Sequence, residues 1–268
     1  MPVKLRRHIL NMAFKGGSVH VGCAFSLVEI FAALYNGVLK INSADAADPD
    51  RDYLILSKGH GVMAHYACYR ELNWLDQESL DTYFSDGSAL HGLCEHKVSG
   101  FEVSSGSLGH GLPIAVGMAL GLKLSGRVDQ KVFCIVGDGE MNEGTMWESL
   151  LFAGHHKLDN LVVIVDANGF QAMGKIKDVL DMEPFSQKFS SFGFETFECD
   201  GHDSKLLAEG FSQFQTATGS GRPKVMIART VKGKGVSFME ANNNWHYLRL
   251  SPETLKAALA ELDEGGDL

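Results

Sequence analysis

KVFCIVGDGEMNEGTMWESLLFAGHHKLDNLVVIVDANGF, residues 131–170, decides the fold. The stretch opens with an apolar run, KVFCIV at 131–136, and closes with another, NLVVIVD at 160–166. Each is rich in β-branched residues and apolar nearly throughout, as expected for strands buried on both faces. Between them a helix-like segment extends from about Glu143 to Lys157, so strand, helix and strand follow in one βαβ unit. This order predicts an α/β fold, a parallel sheet flanked by helices with right-handed crossovers.

Outward from that unit, KVMIART at 224–230 reads as a further buried strand. Upstream, Ser26 precedes LVEIFAALYNGVL, which sets Leu27, Ile30, Phe31, Leu34 and Val38 on one helical stripe with the serine as its expected cap. Residues 253–268 read as a last helix fraying into EGGDL, and GSGRP at 219–223 as a surface turn. Glycines mark joints at 106–111, 137–139, 169–174, 200–203 and 232–235, and two of these turns fall where an open parallel sheet binds ligands, at the carboxyl ends of its strands.

Asp138 follows the first strand of the opening stretch and Asn168 the second. If those strands are neighbours they lie about 5 Å apart, so a carboxylate and an amide oxygen converge on one cation. Magnesium takes octahedral oxygen ligands and retains phosphate among them, so these two side chains and a backbone carbonyl, that of Phe170, leave room for a diphosphate. Gly137 and Gly139 are expected to let the backbone approach the phosphates, and the helix starting near Glu143 to aim its amide end at the anion. Either tripeptide alone reads as an ordinary turn; their pairing at one crossover length carries the assignment.

Three other ligand motifs fail on their own chemistry. GSLGHG has its glycines in the reverse order of the dinucleotide fingerprint. An EF-hand counted from Asp138 meets Glu143 at its turn glycine and Ser149 at its bidentate glutamate. Gly169 to Lys175 spells GxxxxGK, but Ile176 follows, with no hydroxyl for magnesium.

The whole sequence of 268 residues is 45% hydrophobic and carries a formal charge of -9, enough for a large core and against a field that attracts nucleic acid or an anionic membrane. No apolar run approaches membrane-spanning length, and MPVKLRRHILNMAF lacks the apolar core and cleavage site of a signal peptide. Five cysteines lie far apart without a CxxC pair, which fits a reducing, cytoplasmic setting.

The residues so far resemble those of a known family. GDGEMNEG followed by DANGF is similar to the thiamine-diphosphate signature of transketolases, and LSKGHG at 56–61, GSLGHGLPIAVGMALG at 106–121, DGHD at 200–203, TVKGKGVSFME at 230–240 and Trp245-His246 occur in the family's order. The resemblance covers nearly the whole chain. It implies thiamine diphosphate and magnesium as cofactors, with calcium or manganese as substitutes, and transfer of a two-carbon ketol unit from a ketose to an aldose. Residues 1–268 are expected to form a single cofactor-binding domain. The pyrimidine-binding and C-terminal domains of full-length transketolases are expected on a partner chain, in a heterotetramer, with a homodimer in isolation. The α subunit of 2-oxo acid dehydrogenases, deoxyxylulose-phosphate synthase and a catalytically silent scaffold are the alternatives; SKGH and Trp245-His246 favour transketolase.

Matched residue by residue, the resemblance places His60 and His246 near the diphosphate and reacting atoms, His20 facing substrate, and His91 at the donor's first hydroxyls, with His96 as its competitor. It places Gly106 and Leu108 against the cofactor ring, Gly137, Asp138, Gly139, Glu140 and Asn168 at the diphosphate, and Glu143 at the interface with the partner. Asp138, Asn168 and Phe170 are its metal ligands. His8, His65, His96, His155, His156 and His202 read as surface or core histidines, and Lys232 and Lys234 as a solvated turn. The sequence departs from the family pattern at VHVGC around His20, at LHGLCEH around His91, and at His110, where a glutamine is usual. The first two changes line the expected donor pocket and imply a ketose other than the usual pentose phosphates.

Overall fold

A computed structural model describes residues 1–42, 44–216 and 221–265. Its main sheet has five strands: β1 (Tyr53–Leu56), β2 (Val132–Gly137), β3 (Leu161–Ala167), β6 (Glu195–Asp200) and β7 (Lys224–Arg229), in the order β1-β2-β3-β7-β6. All neighbours are parallel. A short antiparallel hairpin, β4 (Phe170–Gln171) with β5 (Gly174–Lys175), follows the tip of β3.

The three inner strands are the three apolar runs, and their burial explains the pattern. Alternate residues go to opposite cores: Phe133, Ile135, Val162, Ile164, Met226 and Ala228 to one, and Val132, Cys134, Val136, Val163, Val165 and Ile227 to the other. With helices on both faces, no position on these strands needs to be polar. The helix Gly144–His155 joins β2 to β3, as the βαβ reading requires.

The segment after Ser26 departs from expectation. In place of one helix there are Val21–Phe25, Val28–Ala33 and a wider turn over Leu34–Val38 that contains Gly37 at φ +118°. Leu27, Ile30, Phe31 and Leu34 are nonetheless fully buried. Ser26 caps nothing; it donates to Asp166 Oδ2 at 2.6 Å, a buried carboxylate that outcompetes the helix end for the hydroxyl.

The last helix is Pro252–Glu264, opened by a Ser251–Thr254 capping box. The expected fray at 266–268 and part of the expected turn, 219–220, lie outside the described residues. Among the described residues no helix is long and apolar enough to cross a membrane. All five cysteines are free and buried.

Candidate cofactor and metal site

The carboxyl ends of four parallel strands face one cavity of about 340 Å3. Lys58 follows β1, Asp138 follows β2, Asn168 follows β3 and Lys232 follows β7, and all four line it. His20, His60 and His246 complete its walls.

The register pairs Gly137 with Asp166, which brings the tips of β2 and β3 side by side. Asp138 is 3% exposed and its carboxylate ties the tips together, accepting from the Gly139 N–H at 2.8 Å and the Gly169 N–H at 2.6 Å. Asn168 donates through Nδ2 to Asp166 Oδ2 at 3.1 Å, which fixes the amide's orientation; its Oδ1 accepts the Phe170 N–H at 3.0 Å and keeps a second lone pair. Burial and the neighbouring Asp166 carboxylate push the Asp138 carboxyl up to about 7. A hard, buried carboxylate whose printed partners are two backbone N–H groups, next to an oriented amide oxygen and the Phe170 strand, suits a divalent cation held partly by ligand oxygens. Among the described residues no group of three or more His, Cys, Asp or Glu side chains forms a metal site, so the protein's share of such a shell is small.

Asp166, which sequence reasoning passed over, is the hub beneath this site. It is fully buried and accepts from Lys58, Thr230, Ser26 and Asn168. Burial works against its charge, but Lys58 outweighs it and holds the carboxyl below the usual range; Asp166 in turn raises Lys58 against the same burial. The available signal was its position two residues before Asn168 on a strand whose other inner residues are apolar.

Lys232 overturns its reading as a solvated turn. It is 1% exposed and donates to Asn243 Oδ1 at 2.7 Å and His246 Nδ1 at 2.8 Å. No carboxylate forms a salt bridge with it among the described residues, so it leaves cationic character in the cavity wall. Lys234 does lie toward solvent, beside Glu240. Lys58 belonged to the SKGH motif, yet attention there fell on the histidine.

His20, His60 and His246 meet edge to face, with ring centroids 4.8 Å apart for His20 and His60 and 5.0 Å for His20 and His246. His20 takes a left-handed conformation at φ 71°, which turns its ring into the cavity, and its N–H donates to the His246 carbonyl at 3.2 Å. Gly59 and Gly61 permit the turn that carries His60: a Cβ would lie 2.4 Å from the Ser105 carbonyl oxygen in the first case and from Leu27 Cδ1 in the second. Burial and neighbouring cations keep the three imidazoles neutral. His20 is lowered to about 4, with His60 and Lys232 adding to burial, and His246 to about 3, with Lys232 foremost after burial. His60 falls below its usual value through burial and Lys58.

The remaining expected residues divide. Leu108, Gly137, Gly139, Glu140 and Phe170 line the cavity. Gly139 is required by packing rather than by phosphate approach, since a Cβ would meet Gln171 Cβ at 2.7 Å. The element next to the anion side is a 3-10 turn, Gly139–Asn142, not the start of the long helix. Glu140 is spent on structure, accepting from Ser57 at 2.6 Å, Gly109 N–H at 2.9 Å and Gly137 N–H at 3.2 Å. Gly106 lies outside the cavity lining, packed beside Leu93, and Glu143 is exposed, over Gly109.

His91 lines a second cavity of about 570 Å3, which shares His20 and His60 with the first. His96 does not; its Nδ1 pairs with Ser104 at 2.9 Å. His110 is exposed, turned onto the Ser107 and Leu108 carbonyls. His65 is a buried core residue against Tyr35, and His8 pairs with Glu71.

Fold and cavity together define an α/β domain that presents a metal and diphosphate site at its strand tips. The family model for the transketolase thiamine diphosphate binding domain matches residues 4–262. One of the two subunits of an apulose-4-phosphate transketolase from Actinobacillus succinogenes is 40% identical over 257 residues, covering 96% of this chain and 91% of that one. The 6-deoxy-6-sulfo-D-fructose transketolase subunit SqwG from a Clostridium strain is 36% identical, covering 98% and 94%. The crystal structure of the Campylobacter jejuni transketolase superposes with a TM-score of 0.89 at 29% identity. It matches 98% of this chain, which spans 42% of that chain's length. This chain belongs to the transketolase family, as its thiamine diphosphate-binding domain.

Proposed function

We propose that this chain is the N-terminal subunit of a two-chain, cytoplasmic transketolase that transfers a two-carbon ketol unit from a modified ketose or ketose phosphate to an aldose. The observation that carries the reading is the convergence of Asp138, Asn168, Lys58, Lys232 and three neutral histidines on one cavity. Asp138, the free lone pair of Asn168 Oδ1 and the Phe170 carbonyl would hold magnesium, while Lys232 and Lys58 would face the diphosphate's negative charge. When bound, thiamine diphosphate supplies the electron sink for cleaving the carbon–carbon bond beside a ketose carbonyl.

The chain's own groups handle protons and orientation. Neutral His20, His60 and His246 can each accept or donate at a hydroxyl or carbonyl oxygen, and their contact lets one proton position influence the next. Lys232 donates to His246 Nδ1, which leaves the ring proton on Nε2. His91, in the adjoining cavity, is suited to the donor's first hydroxyls. That cavity is lined by Asp86 and Glu95 and by no lysine or arginine, so it favours the uncharged, hydroxylated part of a sugar. An anionic end of the donor would then be held by the partner.

Support for a partner comes from relatives named as subunits and from solved transketolases more than twice as long. The partner would carry the pyrimidine-binding domain, meet the exposed Glu143, and complete a heterotetramer, with residues 1–268 as one domain. The names of those relatives support a donor outside the ordinary pentose phosphates.

The test is reconstitution. Mixed with a chain carrying a pyrimidine-binding domain, the protein should form a heterotetramer by light scattering and transfer ketol units only in the mixture. Turnover of xylulose 5-phosphate with ribose 5-phosphate that matches the best modified ketose would refute the donor assignment.

A further inference from the structure

We propose that Arg6, Glu29 and His202, a buried cluster that lines no part of the cofactor cavity, positions Lys232 against His246. The three residues come from the first helix, Pro2–Lys15, from Val28–Ala33, and from the DGHD turn after β6. Glu29 is their hub: its carboxylate takes two bonds from Arg6, at 2.7 and 3.0 Å, and one from His202 Nδ1 at 2.8 Å.

Both outer arms of the cluster grip the loop that carries Lys232. His202 Nε2 accepts the Val231 N–H at 2.8 Å, one residue before Lys232, and Arg6 Nε donates to the Lys234 carbonyl at 2.7 Å, two residues after. Arg6 also packs flat on the loop, since a Cβ on Gly235 would lie 2.6 Å from Arg6 Nε. Between these anchors Lys232 points into the cavity and reaches His246.

Glu29 also sets the histidine's tautomer. By accepting from Nδ1 it leaves a lone pair on Nε2, which the Val231 N–H requires. Without that acceptor the proton can move to Nε2, where it would confront the Val231 N–H donor to donor. An ion pair that served only to join helices would need neither this tautomer nor a bond to the loop.

The proposal rests on the reading of the cavity as the cofactor site only where affinity is measured; the positioning itself is read without ligand. The full chain is labelled with 15N at histidine and the His246 Nδ1 resonance is followed, with Lys232→Met marking its position when the lysine bond is absent. Glu29→Ala should move the resonance toward that position and weaken magnesium-dependent thiamine diphosphate binding roughly tenfold, the scale of one charge-assisted hydrogen bond. His202→Ala, which spares the Arg6–Glu29 pair, should do the same and serves if Glu29→Ala does not fold. Phe189→Leu, in the core on the other face of the sheet, should lower thermal stability and leave the resonance in place. An unmoved His246 resonance in folded Glu29→Ala and His202→Ala overturns the proposal. Normal cofactor binding by Lys232→Met would count instead against the reading of the cavity, with the resonance still deciding the positioning.

Discussion

The two adjoining cavities are built in opposite ways. The first rests on strand tips, and its polar groups are locked: Asp166 alone accepts from four side chains, and Glu140 joins three loops. The second is walled by surface loops, with Phe84 51% exposed and His91 held by a 3.1 Å contact to the Ser88 carbonyl and a 3.5 Å approach to Glu95. Their charges differ too, lysines in the first and carboxylates in the second. The departures from the family pattern around His20 and His91 face the second. Fixed chemistry thus sits on the rigid wall and substrate choice on the adaptable one.

The largest effect should come from the floor of the first cavity. Asp166→Ala strands a buried Lys58 and frees the Asn168 amide to rotate, so unfolding stability should fall by about 3–5 kcal/mol and cofactor affinity by about 10–100-fold. Denaturant titration and calorimetry check this; a stability change below about 1 kcal/mol would deny the hub its role.

An intermediate effect concerns pH. His20 and His246 are lowered to about 4 and about 3, whereas the unfolded chain takes up these protons near 6.5. The folded state therefore binds fewer protons in that window, and stability should decline as pH drops from about 6.5 toward 4. Asp138, raised to about 7, has the opposite sign: its contribution declines as pH rises from its ordinary 3.8 to about 7. Thermal melts of His246→Gln should show a shallower acid limb than the parent; an unchanged limb contradicts the buried neutral imidazole. Asp138→Asn should steepen the rise of stability between about 4 and 7.

The smallest effect should be on the second cavity. His91→Ala should raise the donor KM of the reconstituted enzyme about tenfold and leave cofactor affinity and melting temperature unchanged. A weakened cofactor would mean that the two cavities are not separable.

Legibility in the sequence follows burial. The three inner strands were readable because both faces are buried, whereas β1 and β6 lie at the sheet edges and lack that pattern: β1 is four residues long, and ETFECD in β6 is mostly half-buried or exposed. Asp138 and Asn168 were readable because a crossover fixes their separation. Lys232 was not, since a lysine between glycines reads as solvated and its burial comes from Asn243 and His246, brought in by later chain. The Ser26 cap failed for the same reason, because Asp166 lies 140 residues away.

Calorimetric titration of thiamine diphosphate into the parent and Asp138→Ala chains, each with and without magnesium, tests the strand-tip site most directly. The parent should bind with magnesium and bind far more weakly without it, while Asp138→Ala, folded by circular dichroism, should show no magnesium-dependent heat. Equal binding by both chains would contradict the assignment.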